Sequence, residues 1–266
     1  MKQSIFCTVL VSIFLFAACP TTALAEGDEK GQKAVLVTGA STGIGRKIAQ
    51  DLAGMGFHVY AGARKQKDLE ALDAIENIQA VRLDVTVQEE IDAAVETVEK
   101  GGKGLYGLVN NAGVFIGGPL IEVGVEDYEW IMDINVTGVY RVTKAFAPMI
   151  IESQGRITTI SSISGINSGP FFGHFTMSKH SVEAYTDSLA AEMAKFGVAV
   201  SAIEPGNYNS AIGATAKKNM ASSLSIEDSR FYKDELTEWI GGSWDREKYK
   251  EPDEVSEAAQ HFFTCL

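Results

Sequence analysis

Cysteine is scarce in this sequence, and the few cysteines present are poorly placed for a disulfide framework. There are 3 among 266 residues. Cys7 and Cys19 lie in an N-terminal apolar segment, and Cys265 is next to last. A chain cut after Ala25 would keep one thiol and could form no internal disulfide. Cysteine usage therefore excludes a disulfide-stapled fold and says nothing about the compartment.

Positive charge is scarce as well. The sequence has 23 Lys and Arg residues against 35 Asp and Glu residues, and its formal net charge is -12. Such an acidic surface repels nucleic acid and anionic membranes, so a nucleic-acid partner is not expected. No set of residues with the spacing of metal ligands is identified. The length and the hydrophobic fraction of 45% suit one large α/β domain with a buried core.

A candidate targeting segment, residues 1–25, stands at the N-terminus. Its apolar run from Ile5 to Ala18 is followed by the tripeptide Ala23-Leu24-Ala25. A membrane-spanning helix needs about 20 apolar residues, so the pattern favours a secretory signal peptide and export, with the periplasm as compartment. Two alternatives stay open. One is a lipoprotein signal at Phe16–Cys19, and the other is an uncleaved anchor that attaches the domain to a membrane, including its cytoplasmic face.

From Lys33 onward, short runs rich in Val, Ile and Leu alternate with longer segments whose apolar residues recur every three or four positions. The predicted strands are Ala34–Thr38, His58–Gly62, Gln79–Leu83, Gly107–Asn110, Arg156–Ile160 and Ala199–Ile203. The predicted helices are Gly45–Met55, Gln66–Ile75, Gln88–Lys100, Glu126–Ile151, His174–Phe196 and Asp253–Phe263. This alternation predicts a doubly wound, Rossmann-type parallel sheet with helices on both faces, forming one domain over residues 26–266.

The segment of about residues 210–250 follows the last predicted strand and lacks strand character. Ligands of doubly wound folds bind at the carboxyl ends of the strands, so this segment is predicted to form a lid over the substrate.

The first predicted strand runs directly into a glycine-rich loop that opens a helix. Glycine allows a tight turn and close approach of the backbone to a pyrophosphate, and the helix N-terminus supplies N–H donors. The candidate cofactor-binding residues here are Gly39, Ser41, Gly43, Ile44 and Gly45. The TGxxxGxG spacing resembles that of the short-chain dehydrogenase/reductase family, which implies a nicotinamide dinucleotide cofactor.

The end of the second predicted strand bears on the choice between cofactors. NAD-binding members of the family carry an acidic residue where this sequence has Ala63, and the next residue is Arg64. A guanidinium group suits the 2′-phosphate of NADP, so NADP(H) is favoured over NAD(H). The alternative, a solvated surface arginine, stays open. The resemblance further implies that Asp84, followed by Val85, accepts from the adenine amino group.

Several other motifs carry the same resemblance. Asn110–Gly113 matches the family's NNAG motif, which makes Asn111, Ala112 and Gly113 cofactor-supporting residues. Pro205, Gly206 and Ser210 match the segment beside the nicotinamide. Among catalytic positions, Asn135 corresponds to the residue that holds a relay water. Ser162 corresponds to the residue that binds the substrate oxygen, and Lys179 to the residue that grips the ribose and lowers the pKa of a catalytic tyrosine.

One catalytic position departs from the family pattern. The family's YxxxK motif places tyrosine four residues before the lysine, and this sequence has Phe175 there. Phenylalanine has no titratable group, and a positioned acid typically contributes about 10²–10⁴-fold in rate. The protein is therefore a weak or inactive relative, a form altered to trap a complex, or an enzyme with another acid. The neighbours His174, Thr176 and Ser178 are predicted to point away from the site.

The resemblance is strongest to the retinol and hydroxysteroid dehydrogenase branch, which implies an apolar small-molecule substrate and a homodimer formed through the helices Glu126–Ile151 and His174–Phe196. Met220, Phe231, Tyr232, Trp239 and Trp244 are candidates to line the substrate site, with ordinary lid packing as the alternative. A non-catalytic NADP(H)-binding protein is the competing function. Relatives continue into a further edge strand, whereas this sequence stops at Leu266, so six strands are predicted, with a truncated gene product as the alternative.

Overall fold

Six parallel strands form the centre of the structure, a computed structural model that describes residues 31–208, 224–242 and 249–264. In sheet order the strands run β3-β2-β1-β4-β5-β6. They are β1 Ala34–Val37, β2 His58–Ala63, β3 Ile78–Arg82, β4 Gly107–Asn110, β5 Arg156–Ile160 and β6 Ala199–Ile203. The predicted six-stranded, doubly wound sheet is confirmed. Three strands have the predicted bounds, β1 and β2 differ by a residue at one end, and β3 is shifted by one residue at both ends.

The alternation of side chains along β1 explains why helices cover both faces of the sheet. Val35 and Val37 belong to one buried apolar cluster, and Ala34 and Leu36 belong to another on the opposite face. All four residues are fully buried. Because both faces of this strand are apolar, helices must pack on both sides of the sheet to bury them. This requirement is the physical basis of the layered α/β fold.

The helices lie between the strands and after the last one. They are α1 Gly43–Gly54, α2 Gln66–Asp73, α3 Gln88–Lys100, α4 Val125–Met132, α5 Gly138–Glu152, α6 Gly173–Met193, α7 Lys233–Gly242 and α8 Asp253–Thr264. The prediction of one helix over Glu126–Ile151 is wrong in detail, because a π-helical turn, Asp133–Thr137, separates α4 from α5. Such turns are rare and frequently mark functional sites.

Helix α8 packs against α1 through a polar cluster around Asp51. The Asp51 carboxylate accepts hydrogen bonds from Lys47 Nζ at 2.7 Å and from Ser256 Oγ at 2.6 Å. On the apolar side, Phe263 is 2% exposed and lies against Gly107 of β4. This packing fixes α1, and therefore the loop before it, relative to the sheet.

The sheet reverses its strand order between β1 and β4, which are adjacent in space. The loops that leave the carboxyl ends of these two strands turn to opposite sides, and the crevice between them is where doubly wound folds bind ligands. The candidate targeting segment and the residues Ser210, Met220 and Trp244 lie outside the described residues. Among the helices that the structure describes, none has the length and apolar content needed to cross a membrane.

Candidate active site

The glycine-rich loop after β1 owes its shape to three glycines with different tasks. Gly39 and Gly43 have φ of 64° and 57°, in the left-handed region that glycine adopts without strain. Gly45 is required by contact instead, because a side chain there would collide with the Asn111 amide and the Gly39 carbonyl. Helix α1 has no side-chain hydrogen bond at its N-cap, Thr42. Its first N–H groups therefore suit an anionic group.

Thr38 joins this loop to the loop after β4, and its role was missed in the sequence. Its hydroxyl oxygen accepts hydrogen bonds from the backbone N–H of Asn111 at 2.9 Å and of Ala112 at 3.0 Å. In return, the Asn111 amide donates to the Thr38 carbonyl at 2.9 Å. The threonine directly before the first glycine was the available signal. These bonds hold the two walls of the crevice in register.

A cavity of about 810 Å³ occupies the switch point and extends along the carboxyl ends of the strands. It collects most of the predicted site, namely Gly39, Ser41, Ile44, Arg64, Asp84, Val85, Asn111, Ala112, Gly113, Ser162, Phe175, Lys179, Pro205 and Gly206. Gly43, Gly45 and Asn135 are not on its wall. Gly43 and Gly45 determine the conformation of the glycine-rich loop without facing the cavity. Ser210 cannot be placed, since it lies outside the described residues.

At the adenine end of the cavity, Arg64 faces Asp84. The guanidinium NH1 lies 3.3 Å from Asp84 Oδ2, and the arginine side chain is 60% exposed. Burial alone would raise the pKa of Asp84, but hydrogen bonds from Thr86 and the charge of Arg64 hold that pKa below its usual value. An exposed ion pair of this kind contributes little to stability, so Arg64 is free to exchange partners.

At the opposite end of the cavity, Lys179 is a buried ammonium group. The residue is 7% exposed, and Nζ donates to the Ile160 carbonyl at 2.8 Å. Complete desolvation lowers the pKa of Lys179 to about 8, against the opposing charge of Glu183. An ammonium group carries three N–H donors, so two remain for a ligand in the cavity.

Ser162 lies at the end of β5, where its hydroxyl can turn toward the cavity. Its Oγ accepts from Ser164 N–H at 3.1 Å and donates to the Pro205 carbonyl at 3.4 Å. The second distance lies beyond the usual range for a hydroxyl donor, so this bond is weak. The hydroxyl can therefore donate to a substrate oxygen at small cost.

Asn135 sits in the π-helical turn and is almost fully buried. Its Oδ1 accepts from Val114 N–H at 2.8 Å, and its Nδ2 donates to Val114 O at 2.9 Å and to Ser178 Oγ at 3.0 Å. Both amide hydrogens are therefore committed to protein partners. The role of Asn135 in holding a relay water stays a prediction. Its contacts fix the backbone of Val114 on the cavity wall.

Phe175 occupies the wall beside Lys179 and is packed as a core residue. It is 8% exposed and belongs to a small apolar cluster with Phe115, Ile116 and Ile131. The rings of Phe115 and Phe175 have centroids 5.1 Å apart. The placement agrees with the YxxxK alignment, since one helical turn separates Phe175 from Lys179 on the same face of α6.

The three neighbours of Phe175 have different surroundings. His174 is buried off the cavity wall, where desolvation lowers its pKa against the opposing charge of Asp127. Ser178 Oγ donates to the Phe175 carbonyl at 2.7 Å. Thr176 does reach the wall, contrary to expectation. It lies three residues before Lys179, a spacing that places helical side chains side by side.

A series of aromatic contacts connects Phe175 to α7, which belongs to the segment predicted to form a lid. From Phe115 the contacts continue to Phe172 at 5.5 Å and to Trp239 at 5.3 Å, and Phe171 contacts Tyr232 at 5.8 Å. Trp239 and Tyr232 therefore pack against Phe172 and Phe171, and neither they nor Phe231 lines the cavity. The phenylalanines on the cavity wall are Phe115, Phe172 and Phe175, of which Phe115 and Phe172 were missed in the sequence, and Tyr208 and Tyr249 also line the cavity.

Glu122 fastens residues 229–231, in the segment predicted to form a lid, to the loop after β4. Its carboxylate accepts from Ser229 Oγ at 2.6 Å and from the backbone N–H groups of Arg230 and Phe231, each at 2.9 Å. The hydrogen bond from Ser229 is the largest influence on this carboxyl, and the pKa of Glu122 is held below its ordinary value. This contact was not predicted from the sequence.

The residues present fit a nicotinamide dinucleotide. The uncapped N-terminus of α1 suits the pyrophosphate, and Lys179 has donors available for a ribose hydroxyl. Between the N-terminus of α1 and Lys179, Gly113 leaves space for the cofactor, because it has no side chain. A Cβ there would stand 3.4 Å from Asn135 Oδ1 and 3.9 Å from Lys179 Nζ. Any larger side chain would fill the space next to the ammonium group.

A glycine-lined crevice at the switch point of a doubly wound sheet defines a Rossmann-type dinucleotide-binding protein. The sequence model of the short chain dehydrogenase family matches residues 33–221. The chain belongs to this family of oxidoreductases, which act on small molecules with a nicotinamide dinucleotide.

Individual relatives agree with this assignment. The chain is 36% identical over 197 residues to the mitochondrial D-beta-hydroxybutyrate dehydrogenase of Rattus norvegicus, covering 70% of this chain and 57% of that one. It is 40% identical over 186 residues to 17-beta-hydroxysteroid dehydrogenase type 6 of Bos taurus, covering 68% and 58%. It therefore spans less than two thirds of the length of these curated relatives.

Solved structures share the fold over most of the chain. A variant of actinorhodin polyketide ketoreductase with NADPH superposes with a TM-score of 0.74 at 29% identity, covering 88% of this chain and 91% of that one. A short-chain dehydrogenase from Streptomyces avermitilis gives a TM-score of 0.70 at 28% identity, covering 86% and 82%.

Proposed function

We propose that this chain is an NADP(H)-dependent oxidoreductase that interconverts a carbonyl and a secondary alcohol on an apolar substrate, with turnover limited by Phe175. The observation that carries the proposal is the meeting of Ser162, Lys179 and the glycine-rich loop on the wall of a single cavity. Ser162 and Lys179 retain the groups that would bind a substrate oxygen and a ribose, and only the tyrosine at position 175 is missing. This combination favours a slow enzyme over a non-catalytic cofactor-binding protein.

The chemistry divides between the cofactor and the side chains. NADP(H) supplies the hydride. Ser162 binds the substrate oxygen through its weakly held hydroxyl, and Lys179 holds the ribose through its free N–H donors. Phe175 excludes water from one side of the reacting oxygen and supplies no proton. A positioned acid contributes about 10²–10⁴-fold, so its loss leaves a slow reaction.

The preference for NADP(H) is supported by the charges near the end of β2. Arg64, Lys65 and Lys67 all contribute to the cavity wall there, where they outnumber the carboxylates of Asp68 and Asp84, and Ala63 adds no further carboxylate. The arginine pairs with Asp84 at 3.3 Å. A 2′-phosphate carries more charge than one carboxylate and offers a bidentate geometry, so it is the stronger partner for the guanidinium group.

The apolar substrate is supported by the wall next to the reaction centre. Phe115, Phe172 and Phe175 present three rings to this end of the cavity, and Ile163 adds an aliphatic surface that is 46% exposed. Burial of such surface contributes about 25 cal/mol per Å² to the binding free energy of an apolar ligand. A charged substrate would gain no compensating partner from these four side chains.

We further propose a homodimer formed through α4, α5 and α6. Large apolar side chains remain exposed on these helices, with Trp130 at 40%, Tyr140 at 51% and Met177 at 45%. Tyr140 also contacts Tyr185 across α5 and α6 with centroids 6.2 Å apart. A second copy of the same surface would cover these groups, since two-fold interfaces are self-complementary.

The test is NADPH oxidation with a panel of carbonyl compounds, run on the unmodified chain and on Phe175→Tyr. A slow rate that rises in the variant and is greater with apolar than with charged compounds supports the proposal. NADPH binding without turnover by either protein would identify a non-catalytic cofactor-binding protein instead. Equal affinity for NADPH and NADH would remove the cofactor preference and leave the reaction class intact.

A further inference from the structure

Lys179 is placed to do more than hold a ribose. Its ammonium group is on the cavity wall and donates to the Ile160 carbonyl at 2.8 Å, which fixes its position. It also lies over the Phe175 ring, with Nζ 5.6 Å from the centroid. Among the residues of α6 on the cavity wall it is the titratable one, since the others are Phe175 and Thr176.

On the basis of the proposed function, we propose that Lys179 is itself the catalytic acid of this chain, and that Glu183 is the positioning residue that keeps it charged. When the carbonyl is reduced, its oxygen gains an electron pair and needs one proton. An N–H bond of Lys179 breaks and an O–H bond to the substrate oxygen forms, through one water molecule lodged between Nζ and that oxygen. The lysine is left neutral and regains its proton from solvent after the product leaves.

The electrostatics of Lys179 suit this task. Burial is the main influence and lowers its pKa to about 8. A general acid is most effective when its pKa lies near the working pH, because a large fraction is then protonated and the proton transfer is still energetically favourable. An ordinary lysine, with a pKa of 10.5, would be a much weaker acid.

Glu183 lies one turn after Lys179 on α6, and its surroundings are unusual. Its Oε1 is buried and has no hydrogen-bond partner within the described part of the chain, and the same holds for Ser161 Oγ. Both atoms lie around Gly165, where a Cβ would stand 2.7 Å from Oε1 and 2.8 Å from Oγ. A buried carboxylate oxygen without a hydrogen-bond partner is costly, although Glu183 as a whole is partly exposed. The negative charge of Glu183 favours the ammonium form of Lys179, and the attraction between the two groups offsets part of that cost.

The other charged groups near α6 act elsewhere. The strand β6 and the turn Ile163–Gly165 contain no titratable side chain. In the π-helical turn, Asp133 pairs with Arg141 at 2.7 Å. On α4, Asp127 acts on His174. Glu183 is the charged group that shifts the pKa of Lys179 upward.

The experiment is the pH profile of carbonyl reduction at saturating NADPH, for the unmodified chain, Glu183→Gln, Glu183→Asp and Asp187→Asn. The control, Asp187, is an exposed carboxylate one further turn along the same helix. We expect the rate of the unmodified chain to fall as the pH rises through about 8. In Glu183→Gln this fall should move to lower pH by about one unit or more. It should move less in Glu183→Asp, which keeps the charge, and not at all in Asp187→Asn.

Each other outcome overturns the proposal in a recognisable way. A profile with no fall near pH 8, or a fall that Glu183→Gln and Glu183→Asp leave in place, removes Lys179 as the acid. Turnover by Phe175→Tyr but not by the unmodified chain removes it too, while the reaction class and the cofactor of the proposed function stand. No turnover by either protein on any compound, with NADPH bound, contradicts the proposed function itself. If Glu183→Gln does not fold, the unmodified and Glu183→Asp profiles decide.

Discussion

Lys179 Nζ lies 5.6 Å from the centre of the Phe175 ring, one helical turn away on the same face of α6. The ring is held in place by Phe115, and the ammonium group by the Ile160 carbonyl. A hydroxyl added to this ring would come under the influence of a nearby positive charge, which favours the phenolate and lowers the pKa of a phenol. The surroundings that would favour a tyrosine acid are therefore present although position 175 holds phenylalanine.

Phe175→Tyr should raise the rate of carbonyl reduction by about 10²–10⁴-fold, the contribution of a positioned acid. The affinity for NADPH should change little, because Lys179 still holds the ribose. Single-turnover kinetics and a binding titration would measure the two quantities. Phe196→Tyr, the same change three residues after the end of α6, should have no effect. A fast unmodified enzyme with no gain from tyrosine would contradict this prediction.

Arg64→Ala should weaken the binding of NADPH by about 10- to 100-fold and that of NADH much less, because a charge-assisted contact to the 2′-phosphate is lost. Titration of cofactor fluorescence would give both dissociation constants. Arg82→Ala is a matched control, since Arg82 has a similar exposure of 59% and is likewise paired with a carboxylate, Glu90. A parallel loss for both cofactors would show that Arg64 contacts no 2′-phosphate.

Glu122→Gln should loosen the lid, because an amide has one neutral acceptor oxygen in place of the two charged oxygens that accept these three hydrogen bonds. The KM for an apolar substrate should rise with little change in kcat, and amide exchange should increase over residues 229–242. The exposed Glu227→Gln is the control. Since the pKa of Glu122 is lowered from 4.5, the clamp is complete above that pH and is lost as the pH falls through the lowered value. Unchanged exchange would contradict the clamp.

Gly45→Ala should destabilise the domain by about 1–3 kcal/mol and reduce cofactor affinity, because the new Cβ overlaps the Asn111 amide. Gly54→Ala, at the other end of α1, has nothing within 4 Å of the added Cβ and should be neutral or stabilising by about 0.4–1 kcal/mol. Urea unfolding would compare the two variants. Equal stabilities would show that the loop adapts to a side chain at position 45.

Tyr140→Glu should convert the proposed dimer into a monomer, because a charge would be buried without a partner at the interface of α5 and α6. Sedimentation velocity at micromolar concentration would report the change in mass. Met55→Glu changes a residue of similar exposure, 46%, after α1 on another surface, and should leave the assembly intact. An unmodified chain that sediments only as a monomer would rule out the interface.

The sequence alone was sufficient for the sheet, because its evidence is local. Each strand is a short run of apolar β-formers, and each crossover helix has its own periodicity, so neither depends on knowing the partners. The glycine-rich loop was identifiable for the same reason, since its shape depends on φ angles that glycine alone adopts easily. The spacing of Phe175 and Lys179 on one helix likewise needs only helix geometry.

The tertiary structure decided what depends on contacts between distant segments. The Asn135 amide hydrogen-bonds to Val114, 21 positions away in sequence, and no sequence motif predicts this contact. The same holds for the pairing of Glu122 with Phe231 at a separation of 109 residues. The lowered pKa of Lys179 arises from desolvation by its surroundings, and burial is a property of the packed chain. Sequence pattern therefore determined the elements and the loop, while the charge state, the lid contact and the aromatic wall were decided only when those elements packed together.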